Sequence, residues 1–169
     1  MAILNILTYP DKFLKTITEP VENIDESVVK LIEDMAETMY ENSGVGLAAT
    51  QVGSDKKILV YDISAEREKK EYQVLINPEI VSSEGEYLSE EEGCLSVPEY
   101  RANVKRSLSV VVKALDRNGQ PLTIETEELH AVVLQHEIDH LNGILFIDRI
   151  SSLKREIYKR RVKKHLKNK

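Results

Sequence analysis

The chain has 169 residues, of which 41% are hydrophobic and 31% charged, and its net charge is −6. This length suits a single domain, residues 1–169, that can bury a sizeable core. No apolar run approaches the about 20 residues needed to cross a bilayer, so we expect no membrane partner, and we expect no DNA partner either.

Cysteine usage and the first residues predict a cytoplasmic protein. A single cysteine, Cys94, excludes an internal disulfide. Residues 1–8 lack the basic segment and the small-residue cleavage site of a signal peptide. Both features suit a reducing compartment, and we therefore expect a cytoplasmic location.

The first half of the sequence predicts an extended segment, one helix and two strands. Residues 2–8 suit a short strand or extended segment. Ser27 is a suitable N-cap for a helix that runs to about Asn42, because apolar residues recur along it at helical spacing. Residues 57–63 and 73–81, rich in Ile, Val and Leu, predict strands on either side of a charged loop.

The second half predicts two more strands and an apolar helix. Residues 107–115 and 121–125 have strand composition and are joined by an Asn-Gly turn. A helix is expected to begin after an N-cap at Thr126 and to stop at Asn142 and Gly143. Short antiparallel strands around two or three helices make the expected fold class α+β.

A basic segment ends the sequence. Residues 153–169 hold nine Lys or Arg and one Glu, a net charge of +8, which leaves −14 on residues 1–152. The segment predicts a basic C-terminal helix, which is either a solvated helix on an acidic body or a docking arm for nucleic acid. Its rough apolar stripe consists of Leu153, Ile157, Val162 and Leu166.

The run His-Glu-Ile-Asp-His at residues 136–140, an HExxH motif, is the most informative feature. On a helix, His136 and His140 lie on one face, where their imidazoles can bind one metal ion together. Glu137 can then reach a water molecule at that ion without binding the metal itself. This arrangement is typical of metal-dependent hydrolases that cleave amide bonds, although the same spacing also occurs by chance on solvated helices.

Two histidines leave a catalytic metal ion short of one protein ligand. Phe146 stands where one class of HExxH protease has a third histidine, which excludes that class. A carboxylate, Asp148 or Glu156, is one candidate for the third ligand. Cys94 is another, because its thiolate would complete a Cys-His-His set, although a lone cysteine is most often a small buried hydrophobe.

Three separate segments resemble the signature motifs of peptide deformylases. They are Gly-Val-Gly-Leu-Ala-Ala-Thr-Gln at residues 44–51, Glu-Gly-Cys-Leu-Ser at 92–96 and Gln-His-Glu-Ile-Asp-His at 135–140. Their order and spacing are also similar, and the resemblance covers nearly the whole chain. It implies an α+β fold with antiparallel sheets around a central metal-binding helix. It also implies removal of the formyl group from N-formylmethionine on new bacterial or organellar polypeptides, with release of formate.

The resemblance implies a role for each matching residue of the reactive centre. Cys94, His136 and His140 would bind one divalent metal ion, Fe(II) in vivo, with zinc, nickel or cobalt able to replace it. The ion would lower the pKa of its water toward about 7. Glu137 would accept that proton and pass it to the departing amine.

Hydrogen-bond donors and an apolar pocket are expected around the reacting group. By resemblance, the side-chain NH2 of Gln51 and the backbone N–H of Leu95 would stabilise negative charge on the formyl oxygen. A pocket for the methionine side chain is expected on the helix just before His136, unless those residues belong only to the core. The expected substrate-binding residues are Val45, Gly46, Arg101, Leu129, Val132 and Val133.

The expected partner is a nascent polypeptide with an N-terminal formylmethionine, and the basic helix at 153–169 would suit docking on the ribosome. Two other functions stay open from the residues alone. A general metallopeptidase would use Glu156 or Asp148 as its third ligand, so Cys94→Ala would retain the metal. A catalytically silent RNA- or ribosome-binding module would behave normally after Glu137→Gln.

Overall fold

The computed structural model describes residues 1–168, and in that part of the chain it has three α-helices and seven strands. Four short 3-10 turns complete the regular structure of these residues. The helices are α1 (Glu26–Glu41), α2 (Glu128–Leu141) and α3 (Ser152–Lys167), and the strands are β1 (Gly46–Ala48), β2 (Ile58–Tyr61), β3 (Gln73–Glu84), β4 (Tyr87–Cys94), β5 (Val97–Arg106), β6 (Ser109–Leu115) and β7 (Pro121–Glu127).

The strands form two antiparallel sheets. Five of them make one sheet in the order β1-β2-β3-β6-β7, and β4 pairs with β5 in a separate hairpin. Neighbouring strands are antiparallel throughout. Helices packed on antiparallel sheets confirm the expected α+β class.

Helix α2 lies at the centre of the fold and contacts both sheets. All residues from Ala131 to Leu141 are buried, the polar ones included. Leu134 and Ile138 pack with residues of the five-stranded sheet. A helix buried on all sides belongs to a core, so the HExxH residues 136–140 lie inside the protein. Within residues 1–168, no helix is long and apolar enough to cross a membrane.

Helix α1 covers the opposite face of the same sheet. In β2, Ile58 and Val60 pack with α1, whereas Leu59 and Tyr61 pack with α2. This alternation is the period of two of a strand buried on both faces. Residues 2–8 have no regular secondary structure, so the short strand, one of the two expected forms, is not observed.

Both expected N-caps are wrong. Helix α1 begins after Asp25, whose carboxylate accepts the backbone N–H of Val28 at 3.0 Å, while Ser27 donates its hydroxyl to the same carboxylate. An ionised side chain is the better acceptor for the first-turn N–H groups. Thr126 pairs with Val110 inside β7, because the strand continues directly into α2 without a capping side chain.

The C-terminal helix differs from expectation in its packed side. It begins at Ser152, after a cap by the Ser151 side chain, and Lys169 lies outside the described residues. Of the expected apolar stripe, Leu153, Ile157 and Leu166 are exposed, and Val162 alone packs on the body. The buried side chain is Tyr158, which packs against Tyr9 and Tyr100. Aromatic contact area therefore outweighs the aliphatic pattern.

Candidate metal centre and active site

Helix α2 and the β4–β5 hairpin bring the three expected metal ligands together. His136 and His140 lie on the same side of α2, with their Nε2 atoms 3.3 Å apart. Cys94, at the end of β4, places its Sγ 3.2 Å from Nε2 of His140. The three ligand atoms lie within 4.8 Å of one another. A thiol and two imidazoles this close are a donor set that fits a divalent transition-metal ion.

The two carboxylates considered as third ligands are engaged or directed elsewhere. Asp148 accepts the backbone N–H of Leu145 at 2.9 Å and so closes a 3-10 turn. Glu156 is exposed on α3. The group that converges is therefore the one that contains Cys94.

A buried network of ion pairs holds His136 from behind. Its Nδ1 lies 2.7 Å from Oε1 of Glu92, which leaves Nε2 directed at the other ligands. Glu92 also pairs with Arg106, which donates to Asp139 at 2.7 Å, and Arg149 adds two hydrogen bonds to Asp139. Burial alone would raise the pKa of Glu92, but hydrogen bonds from His136 and Arg106 outweigh it and lower the pKa to about 2.

Glu137 is buried next to this centre and lines a cavity. Within residues 1–168, its Oε2 has no hydrogen-bond partner. Burial raises the pKa of Glu137 to about 7. A carboxyl group with this pKa can accept and release a proton near neutral pH. Gly46 lies directly on it, since a Cβ at that position would be 2.7 Å from Oε1 of Glu137.

Gln51 is fixed at the inner end of the glycine-rich segment by its own hydrogen bonds. Its Oε1 accepts the backbone N–H of Ala48 at 2.9 Å, and its Nε2 donates to Oγ of Ser96 at 3.1 Å. The same Nε2 lies 3.6 Å from Sγ of Cys94. The side-chain NH2 is therefore directed toward the candidate metal centre. Leu95, the other expected donor, follows Cys94 and lines the cavity.

The site opens into a cavity of about 1080 Å³. Two of its apolar side chains, Leu129 and Val45, are 61% and 44% exposed, whereas Val132 and Val133 are buried. Val133 also packs in the core beside the sheet. All the expected substrate-binding residues line this cavity: Val45, Gly46, Arg101, Leu129, Val132 and Val133.

Two arginines in the cavity wall could hardly be predicted from the sequence. Arg67 comes from the charged loop after β2, and Arg161 comes from α3, where it lies 5.9 Å from the ring centre of Tyr100. The position of a charged residue in the sequence does not show whether its side chain faces solvent or lines a cavity. For Arg161, a signal is its position three residues after Tyr158, the aromatic residue of the basic segment, because this spacing places both residues on the same side of a helix.

Comparisons with known proteins show the family of this chain. A family model described as polypeptide deformylase matches residues 3–156. A peptide deformylase of Desulfosudis oleivorans is 56% identical over 167 residues, which cover 99% of this chain and 96% of that protein.

Solved structures give the same result. A peptide deformylase from Legionella pneumophila matches with a TM-score of 0.90 and 52% identity, over 98% of this chain and 96% of that one. A peptide deformylase from Ehrlichia chaffeensis in complex with actinonin matches with a TM-score of 0.89 and 44% identity, over 98% of both chains.

Proposed function

The chain belongs to the polypeptide deformylase family, and we propose that the cavity beside Glu137 is its active site. The enzyme removes the N-formyl group from N-formylmethionyl nascent polypeptides and releases formate. One observation carries the assignment of the site: a thiol and two imidazoles converge next to a buried carboxyl group.

Cys94, His136 and His140 are the residues that would hold one divalent metal ion. The proposed ion in vivo is Fe(II), and zinc, nickel or cobalt would suit the same ligands. Bound there, the ion would supply the Lewis acidity that makes hydroxide available from water near neutral pH. The pairing of His136 with Glu92 supports this role, because a metal-binding imidazole needs its other nitrogen fixed.

Glu137 is proposed to carry the proton. It would accept the proton of the water that attacks the formyl carbon and deliver it to the amide nitrogen as the C–N bond breaks. The products are formate and a polypeptide with a free methionine amine. The raised pKa of Glu137 supports both halves of this transfer at neutral pH.

Two donors are proposed to stabilise the negative charge that develops on the formyl oxygen. They are Nε2 of Gln51 and the backbone N–H of Leu95. The hydrogen bonds of Gln51 to Ala48 and Ser96 support this role, because they fix the donor before the substrate arrives. A donor that needs no reorganisation contributes most to the transition state.

The apolar part of the cavity is proposed to bind the methionine side chain. Val45, Leu129, Val132 and Val133 supply its apolar surface, and Gly46 lets the substrate backbone approach. Arg101 is exposed and donates to the backbone carbonyl of Glu91 at 3.2 Å. It is proposed to contact the peptide beyond methionine.

Helix α3 is proposed to dock on the ribosome, where formylated chains emerge. Its basic residues and the exposed Leu153 and Ile157 would meet ribosomal RNA and protein together. The proposed location is the cytoplasm, because nascent chains are made there and the Cys94 thiol must stay reduced to bind a metal ion.

The decisive experiment is formate release from formyl-Met-Ala-Ser by anaerobically purified, Fe(II)-loaded protein. Wild type is expected to release formate, and Glu137→Gln is expected to retain the metal ion but lose at least about 100-fold in kcat. Glu156→Gln is the matched control and tests the metallopeptidase alternative, since it should change neither metal content nor turnover. No formate from metal-replete wild type would overturn the assignment.

A further inference from the structure

Arg67 joins the end of β2 to the glycine-rich segment of the cavity wall. It lies on the 3-10 turn Arg67–Lys69 in the charged loop. One Nη donates to the backbone carbonyl of Asp62 at 2.5 Å, and the other donates to the backbone carbonyl of Gly44. Its guanidinium also lies 5.4 Å from the ring centre of Tyr40 on α1. A solvated loop arginine would make none of these contacts.

The acceptors of Arg67 are themselves held in place. Asp62 is buried, and its carboxylate accepts hydrogen bonds from the hydroxyl of Tyr40 at 2.5 Å and from the N–H and hydroxyl of Ser64 at 2.8 and 2.6 Å. Its backbone N–H donates to the carbonyl of Val45 at 2.9 Å. The guanidinium therefore closes a ring of hydrogen bonds that begins and ends at the glycine-rich segment.

That segment lies in close contact with residues of the reactive centre. A Cβ at Gly44 would lie 2.8 Å from Cδ1 of Leu95, and one at Gly46 would lie 2.7 Å from Oε1 of Glu137. The segment thus lies directly on the proposed base and on the residue after the Cys94 ligand. A displacement of even a few tenths of an ångström away from them would change the wall that a substrate meets.

We propose that Arg67 is a positioning residue for substrate binding, and this inference rests on the proposed deformylase function. By holding the carbonyl of Gly44, Arg67 keeps Val45 and Gly46 in the conformation that receives the peptide. Two charge-assisted hydrogen bonds to backbone carbonyls give it this hold. It takes no part in the chemical step, so its loss affects peptide affinity more than turnover.

Hydrogen exchange tests the positioning without any need for activity. Arg67→Met keeps the length of the side chain and removes its donors, and Arg67→Lys restores one donor and the charge. Lys69→Met is the matched control, because it removes a positive charge from the same turn. Amides of residues 43–48 are expected to exchange about tenfold faster in Arg67→Met, less so in Arg67→Lys, and at the wild-type rate in Lys69→Met. Wild-type exchange in Arg67→Met would overturn the proposal.

Kinetics with formyl-Met-Ala-Ser, and inhibition by the product Met-Ala-Ser, test the consequence for binding. Arg67→Met is expected to raise KM and the product's inhibition constant about tenfold each, with kcat within about twofold of wild type and unchanged metal content. A fall in kcat at unchanged KM would overturn the proposal. If wild type released no formate while residues 43–48 of Arg67→Met exchanged faster, the proposed function would fail and the positioning by Arg67 would stand.

Discussion

At the scale of single residues, Gln51 combines a structural contact with a proposed catalytic one. Its Oε1 satisfies the N–H of Ala48, and its Nε2 is directed toward Cys94 and Ser96. A substitution can therefore separate the two contacts of Gln51, because a glutamate side chain keeps the acceptor oxygen and has no N–H donor.

We expect Gln51→Glu to fold normally, to retain its metal ion and to lose about 100-fold or more in kcat, the usual effect of losing one donor to a developing oxyanion. Gln51→Leu should show the same loss of kcat and should also unfold at lower temperature, because the Ala48 N–H then lacks its acceptor. Metal analysis, thermal melts and formate release measure the three effects. Near-normal kcat in Gln51→Glu would remove Gln51 from catalysis.

At the scale of elements, the N-terminal segment is held on α1 by two polar side chains. Asp34 accepts the backbone N–H of Ala2 at 2.8 Å and pairs with Lys30 at 2.7 Å, and Thr38 accepts the backbone N–H of Leu4 at 2.8 Å. The hydrogen bonds from Lys30 and Ala2 lower the pKa of Asp34. A carboxyl whose pKa is lowered by folding stabilises the protein above its unfolded value of about 3.9 and loses this effect as the pH falls below it.

We therefore expect Asp34→Asn to lower the free energy of unfolding by about 1 kcal/mol at pH 7, the usual net value of one hydrogen bond. The difference from wild type should shrink below about pH 4, where Asp34 itself becomes protonated. Urea unfolding at pH 3 to 7 measures it, with Glu33→Gln, an exposed neighbour on α1, as the control. A difference that stays constant down to pH 3 would contradict this expectation.

The β4–β5 hairpin is a part of the secondary structure that could not be predicted from the sequence. Helix α2 could be predicted because its apolar residues recur at helical spacing, and β2 and β3 because they are rich in branched apolar residues. Strand β4 contains three consecutive glutamates, and its pairing with β5 shifts register on both sides of Glu92. These irregularities remove the period of two on which strand prediction depends.

The residues of the candidate site also differ in how far they could be predicted from the sequence. The pairing of His136 with His140 follows from local helical geometry, and the addition of Cys94 required the family resemblance because it lies 42 residues earlier in the sequence. Arg67 could not be found from the sequence at all, since its partners are backbone carbonyls, which leave no trace in residue identity.

At the scale of the whole molecule, the charge is separated between an acidic body and a basic helix. Residues 153–169 carry +8 and residues 1–152 carry −14. Helix α3 is fastened to the body through Tyr158 and Val162, which leaves most of its basic side chains exposed. The structure thus allows the charge of α3 to be changed without disturbing the aromatic packing beneath it.

We expect a variant with glutamine at three outward positions of α3 to bind ribosomes more weakly. The slope of the logarithm of its affinity against the logarithm of the salt concentration should become shallower by up to about one unit per lost charge. Turnover of formyl-Met-Ala-Ser should be unchanged. Cosedimentation at several salt concentrations measures binding, and equal affinity of variant and wild type would refute docking through α3. The variant replaces Arg160, Lys163 and Lys164, and the control replaces Lys12, Lys105 and Lys113 on the body.

Arg161 relates this separation of charge to the cavity. Arg161 belongs to the positive helix and also to the cavity wall, so α3 borders the cavity. Near any polyanionic surface, an electric dipole of this kind turns the protein before contact. If α3 docks on the ribosome as proposed, the cavity beside it would lie close to the surface from which a nascent chain emerges, and the encounter would need little rotational search.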